Sequence, residues 1–207
     1  MIIKICGIKT LEDALVCIRE GADALGFNFY KKSPRYIRPE LVHEISTEIP
    51  THIIRVGVFV DEPPPQMASI VREADLDVVQ IHGGGKAPRG ARLWRALNLG
   101  SDFEAADVER EANAEAFVLD SPAPGTFGGT GKTFDWTKIP KLKKKVILAG
   151  GLSHLNVAEA IRIVDPWGVD ACSKLEYEPG KKDFEKVTAF IRAARGLKDE
   201  EEEETDE

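Results

Sequence analysis

The 207 residues are 43% hydrophobic and 30% charged, with 18 Gly and 12 Pro, the make-up of one globular domain with a sizeable core rather than of a disordered or fibrous chain. No run approaches the roughly 18–20 apolar residues of a membrane span, and the chain enters Met1-Ile2-Ile3-Lys4-Ile5 without a charged leader, so the expectation is a cytoplasmic protein with no membrane partner. The net charge of -7 sits in the stretch 199–207, which leaves the rest near neutral, argues against a nucleic-acid partner and marks 198–207 as a solvated, disordered tail on a 1–197 domain.

In chain order, short β-rich runs alternate with amphipathic stretches, the pattern of parallel strands joined by crossover helices. A strand at 2–7 leads into a helix at 11–20, with Leu11, Leu15 and Ile18 on one apolar face and Thr10 as a cap with Asp13 three residues on. A strand at 24–29 precedes a helix at 39–49 opened by Pro39, and a strand at 53–60 precedes a helix at 65–74. After the strand at 78–82, the run Gly83-Gly84-Gly85-Lys86-Ala87-Pro88-Arg89-Gly90 falls below the ~10–12 residues of a crossover, so the fourth helix is expected to be reduced or absent. Strands at 93–99 and 116–120 flank a helix at 103–114. The glycine-rich connection 122–145 is expected to be helical only near 135–139, and strands at 146–149 and 168–172 enclose a helix at 156–164. A last helix, 183–194, carries Phe184, Val187, Phe190 and Ile191 on one face. Eight strands in a chain of this length favour closure into an α/β (β/α)8 TIM barrel over an open doubly wound sheet.

The site of such a barrel lies at the carboxyl ends of its strands, which makes Cys6, His82, Asp120 and Asp170 candidates. Alternation along the first strand puts Ile3 and Ile5 toward the outer helices and Lys4 and Cys6 inward. Gly150-Gly151 after the seventh strand and Cys172-Ser173 after the eighth occupy the corner where these barrels bind phosphate: glycine admits close backbone approach, and free N–H groups favour an anion. Cys6, Cys17 and Cys172 form neither a disulfide framework nor a metal-ligand pattern, and His43, His52, His82 and His154 have no ligand spacing, so no metal is expected. Gly128-Gly129-Thr130-Gly131-Lys132-Thr133 resembles a nucleotide-binding P-loop, but Thr126 stands where the first glycine is required, and a mobile loop over the site is the better reading. Taken alone, Cys6 is as readily a small buried hydrophobe, Asp120 a turn cap and Arg35 a solvated surface arginine.

Lys4-Ile5-Cys6-Gly7-Ile8 resembles the opening signature of the phosphoribosylanthranilate isomerase family. Gly26-Phe27-Asn28-Phe29, Ser33-Pro34-Arg35-Tyr36-Ile37, Val56-Gly57-Val58-Phe59-Val60 and Val79-Gln80-Ile81-His82-Gly83 follow in order. So do Leu119-Asp120-Ser121, Gly128-Gly129-Thr130-Gly131 with Phe134-Asp135-Trp136, Leu148-Ala149-Gly150-Gly151-Leu152, and Glu176 with Pro179-Gly180-Lys181-Lys182-Asp183. The resemblance spans nearly the whole chain before the acidic stretch. One segment departs: the family pattern Asp-Val-Ser-Ser-Gly-Val-Glu is replaced by Asp170-Ala171-Cys172-Ser173-Lys174-Leu175-Glu176, a thiol for a hydroxyl and a lysine for a glycine.

The resemblance implies a cofactor-free isomerase of tryptophan biosynthesis that performs an Amadori rearrangement of phosphoribosylanthranilate, its small-molecule substrate, as a monomer or homodimer. The reaction needs an acid for the furanose ring oxygen and a base for the C2' proton. By resemblance, Asp120 is the acid, Cys6 the base and Arg35 the receiver of the anthranilate carboxylate, while His82, Asp170, Gly150, Gly151, Cys172 and Ser173 bind substrate. The chemistry then requires a thiolate favoured by positive potential, for which Lys4 is placed, and a protonated Asp120, raised by burial or by a neighbouring carboxylate such as Asp170. Two other readings are a different sugar-phosphate barrel, such as a histidine-pathway isomerase or an indole-forming synthase, and a non-catalytic phosphate-ligand binder. Cys6 in place of a carboxylate base weighs against the histidine-pathway isomerase, and intact Cys6, Arg35 and Asp120 against the binder.

Overall fold

A computed structural model describes residues 1–100, 103, 105–121 and 135–197. The strands β1 (Ile2–Cys6), β2 (Ala24–Asn28), β3 (Ile54–Val60), β4 (Val78–His82), β5 (Arg92–Asn98), β6 (Ala116–Asp120), β7 (Lys145–Leu148) and β8 (Gly168–Ala171) pair in sequence order and close into a barrel. Every neighbouring pair is parallel, β8 returning to β1 with Lys4 opposite Asp170 and Ile5 opposite Ala171. The acidic stretch 198–207 and the loop holding Gly128, Gly129 and Gly131 lie outside the described residues.

Among the described residues, six helices cover the barrel: α1 (Leu11–Glu20), α2 (Pro39–Glu48), α3 (Pro64–Glu73), α4 (Ala105–Arg110), α5 (Val157–Val164) and α6 (Phe184–Arg195). As expected, no helix joins β4 to β5, and the described residues of the connection before β7, 135–144, hold a 3-10 turn, Trp136–Lys138. Thr10 caps α1 by accepting from the Asp13 N–H at 3.0 Å, and Gly21 ends it at φ 108. The helix expected over 103–114 is shorter: Ala114 turns back onto the Glu111 carbonyl so that Glu115 can bond Leu93 and start β6. The apolar face expected for α1 is also corrected. Ala14 and Cys17 are the fully buried positions, while Leu11 and Leu15 are exposed at 36% and 46%. Small side chains let α1 lie close to the strands, which turns the two leucines outward. After β8 the chain makes a 3-10 turn, Ser173–Leu175, and a short antiparallel hairpin, β9 (Glu176–Glu178) with β10 (Lys181–Lys182), that the sequence pattern did not signal.

Two apolar layers result. Outward strand residues such as Ile3, Ile5, Phe27, Ile81 and Leu119 pack with helix residues such as Cys17, Val42, Met67 and Phe190. A separate cluster that includes Ala24, Val56, Val78, Trp94, Ala116 and Ile147 fills the lumen. The alternation expected for β1 holds, with Ile3 and Ile5 in the outer layer and Lys4 and Cys6 facing in. No helix among the described residues is long and apolar enough to cross a membrane.

Candidate active site

Above the apolar filling, the inward positions turn polar within one two-residue step: β4 runs through Val78, Gln80 and His82, and β6 through Ala116, Val118 and Asp120. One pocket opens at this carboxyl end. Cys6, Asp120, Arg35, His82 and Asp170 line it, and so do Gly150, Gly151, Cys172 and Ser173, so every residue singled out in the sequence is brought together. Gly26 of β2 makes the room, because a Cβ there would lie 2.7 Å from Cys6 Sγ and 3.1 Å from Lys4 Nζ.

Lys4 is wholly buried and bonds Asp170 Oδ2 at 2.8 Å. Desolvation of each ion costs several kcal/mol, so a buried pair adds little net stability and its value lies in the potential it sets. Burial opposes the Lys4 charge, but Asp170 and Cys6 outweigh it and keep the ammonium protonated. One ammonium cannot serve two anions fully. Asp170 is pushed up to about 7, by burial first, with Lys4 opposing and Cys6 and Asp120 adding repulsion.

The Cys6 thiol is held well below its ordinary value: the Cys172 thiol donates to it, burial opposes, and the ammonium groups of Lys4 and Lys182 favour the thiolate. Cys172 is correspondingly driven up, since losing its proton would place two thiolates in contact and burial adds to the cost. Cys172 also stands 3.8 Å from Glu176 Oε1, but that oxygen already receives Arg35 and Lys182, so the proton is better used on the less satisfied Cys6 sulfur. Asp120 is shifted the other way. Burial raises it, the Ser121 N–H at 2.8 Å partly offsets this, and Cys6 raises it further. Cys6 is thus a like charge acting on Asp120, and Asp120 and the Asp170 expected from sequence repel each other as well.

Three candidates take on sharper roles. His82 is neutral, lowered to about 4 by burial and by Lys4, and its Nε2 lies 3.2 Å from the Gln80 amide nitrogen. Arg35 enters the pocket with its fork already engaged, Nε on Glu176 Oε1 at 2.9 Å and Nη2 on Oε2 at 2.7 Å. Burial opposes the Glu176 charge, but Arg35 and Lys182 hold its carboxyl below the usual range. Cys172, expected at the phosphate corner, lines the pocket with Gly150, Gly151 and Ser173, and Cys6 and Cys172 act on each other's protonation. At that corner Gly150 has φ +86, and a Cβ there would meet the Ser121 nitrogen at 2.4 Å. Lys174 is exposed at the pocket edge and does not have a positive φ, so the lysine brings no backbone strain.

Glu176 and Lys182 were quoted in the motif without a role, and Ser121 likewise. Lys182 is fully buried and bonds Glu176 Oε1 at 3.1 Å, from a two-residue strand too short for any periodicity to signal an inward lysine. Ser121 is buried with Oγ unpartnered among the described residues.

The family model described as N-(5'phosphoribosyl)anthranilate (PRA) isomerase matches residues 3–193. A protein of Solibacter usitatus named N-(5'-phosphoribosyl)anthranilate isomerase is 46% identical over 198 residues, covering 94% of this chain and 98% of its own. The crystal structure of phosphoribosyl anthranilate isomerase from Thermotoga maritima superposes with a TM-score of 0.83 at 40% identity, covering 95% of this chain and 100% of that one. Another phosphoribosyl anthranilate isomerase, solved with reduced 1-(o-carboxyphenylamino)-1-deoxyribulose 5-phosphate, matches with a TM-score of 0.79 at 37% identity over 95% of this chain and 100% of that one. A barrel whose β1 thiol and β6 carboxyl share one polar mouth thus agrees with its relatives along almost its full length, and the chain belongs to the N-(5'-phosphoribosyl)anthranilate isomerase family.

Proposed function

We propose that this protein catalyses the Amadori rearrangement of N-(5'-phosphoribosyl)anthranilate to 1-(2-carboxyphenylamino)-1-deoxyribulose 5-phosphate in tryptophan biosynthesis. The observation that carries this reading is the opposed tuning of two groups in one pocket: Cys6 is held toward its anion and Asp120 toward its acid. Neutral Asp120 donates its proton to the furanose ring oxygen as the C1'–O bond breaks and the anilino nitrogen forms a Schiff base. The Cys6 thiolate then takes the C2' proton, and the electron pair moves into the iminium to give an enol that tautomerises to the ketone. One proton leaves the enzyme and one arrives, so exchange with water resets both groups without a cofactor.

The remaining roles follow from what each side chain has free. Gly150, Gly151 and Ser173 are assigned to the phosphate, where backbone can approach closely. Asp170 Oδ1 has no hydrogen-bond partner among the described residues and is assigned to a substrate hydroxyl. Arg35 Nη1, the terminal nitrogen not bonded to Glu176, is assigned to the anthranilate carboxylate. His82 lines the cavity as a neutral ring and takes no part in proton transfer. The catalytic unit in this reading is residues 1–197, as a cytoplasmic monomer or homodimer, with 198–207 outside the chemistry.

The test is a fluorescence assay of phosphoribosylanthranilate consumption by the purified protein with and without chelator. Metal-independent turnover supports the reading; a folded protein that leaves the substrate unconsumed sinks it.

A further inference from the structure

We propose that Cys6 and Cys172 are a peroxide-responsive dithiol, in which hydrogen peroxide oxidises Cys6 and Cys172 then closes a disulfide between β1 and β8 that reversibly shuts the pocket. This goes beyond the isomerase reading and does not depend on it. The geometry is set by strand register. Lys4 stands opposite Asp170 and Ile5 opposite Ala171, so the next step puts Cys6 opposite Cys172 on adjacent parallel chains. Adjacent strands lie about 4.7–4.9 Å apart, inside the roughly 4.4–6.8 Å between Cα atoms that a disulfide spans. Lys4 and Asp170 meet inside the lumen, and residues two further along share that direction. Cys172 Sγ lies 3.1 Å from where a Cβ on Gly7, the residue after Cys6, would stand; both thiols are free, and both line the open pocket through which a small oxidant can enter.

The two sulfurs also differ in the way such chemistry needs. Cys6, with Lys4 and Lys182 acting on it, is the nucleophile, while Cys172 keeps its proton. The Cys6 thiolate attacks one peroxide oxygen, the O–O bond breaks, and the departing hydroxide takes a proton to leave as water, giving a sulfenic acid on Cys6. Cys172 sulfur then attacks Cys6 sulfur, the S–O bond breaks, and the thiol proton leaves with that oxygen as a second water. Two thiol groups have lost two electrons, and one peroxide has become two waters. Cys17 is the internal control, wholly buried on the inner face of α1 with its thiol pushed up to about 12 by burial.

The test treats the native protein with a stoichiometric amount of hydrogen peroxide, then unfolds it in denaturant while alkylating the remaining thiols, and digests with trypsin. The expected product joins peptides 5–9 and 163–174 through one disulfide, leaves Cys17 as the single alkylated thiol, and returns to three free thiols after dithiothreitol. Cys172→Ser is then expected to accumulate oxygen on Cys6 that dithiothreitol progressively fails to remove. Unlinked peptides in the native protein, whether Cys6 is untouched or carries added oxygen, overturn the proposal. So does a Cys172→Ser variant whose Cys6 recovers as completely as the native one. Both readouts are masses, so the proposal can fail while the isomerase reading stands, and the reverse.

Discussion

The two ends of the barrel lumen are built from the same strands and do opposite things. Toward the amino ends Val78, Trp94, Ala116 and Ile147 pack as an apolar filling, and toward the carboxyl ends His82, Asp120, Asp170 and Cys6 ring a pocket. A strand's inward positions recur every two residues, so two such steps lead from stability to chemistry: Ala116 belongs to the filling, Val118 borders both and Asp120 belongs to the site. On β1 the change comes early, with the buried Lys4 paired to Asp170 of β8, and that ammonium is one of the groups that favour a thiolate at the upper end. The apolar end must supply stability because the upper end costs it. Asp170 is an example, its pKa of about 7 meaning that ionisation at neutral pH disfavours the folded state.

Removing a proton-transfer group from the upper end should have the largest effect. Cys6→Ala and Asp120→Asn are each expected to lower kcat about 10²- to 10⁴-fold while leaving the circular dichroism spectrum and unfolding midpoint near those of the parent. A folded Cys6→Ala that keeps nearly full activity would remove Cys6 as the base. The opposite pattern is expected at the other end. Trp94 is wholly buried, with its ring 5.9 Å edge-on from Trp167, and Trp94→Ala should cost about 3–5 kcal/mol in urea unfolding while kcat per folded molecule stays within a few-fold. A selective loss of kcat there would mean that the two ends are not separable.

This division was legible because it rests on local periodicity. The strand positions were readable to within a residue or two, and Lys4 and Cys6 were oriented correctly from alternation alone. What was not legible depends on partners far along the chain. Lys4 and Asp170 are 166 positions apart, and the meeting of Cys172 with Cys6 follows from the same β1–β8 register, which no short window contains. Arg35 read as a free fork because Glu176, 141 positions on, could not be placed against it. Leu11 and Leu15 misled for a different reason: apolar periodicity marks a face, but close packing of α1 selected the smaller Ala14 and Cys17.

A smaller effect sharpens the comparison through pH. His82 titrates near 4 in the folded protein against 6.5 ordinarily. The unfolded chain therefore binds the extra proton first, and the stability His82 lends above pH 6.5 is lost as pH falls toward 4, about 3 kcal/mol in all. Asp170 acts with the opposite sign, gaining stability as pH falls from about 7 toward 3.8. The difference between parent and His82→Asn isolates the first term: on going from pH 7 to pH 4.5 the urea midpoint of the variant should rise relative to that of the parent. An equal change in both would place His82 in a solvated setting. The smallest effect is expected at Lys174. With no positive φ to relieve, Lys174→Gly should lose up to about 1 kcal/mol through added chain entropy rather than gain stability, and leave kcat within about twofold. A large gain in turnover would mean that the lysine obstructs the mouth.

The central claim is that the upper end of the lumen holds Cys6 as a thiolate, and the rate of its alkylation by iodoacetamide against pH tests this most directly, read from the mass of peptide 5–9. The account predicts a rate whose midpoint lies well below the ordinary thiol value of 9.0, while Cys17 in the same sample stays unreactive. A Cys6 midpoint at or above 9.0 would contradict it.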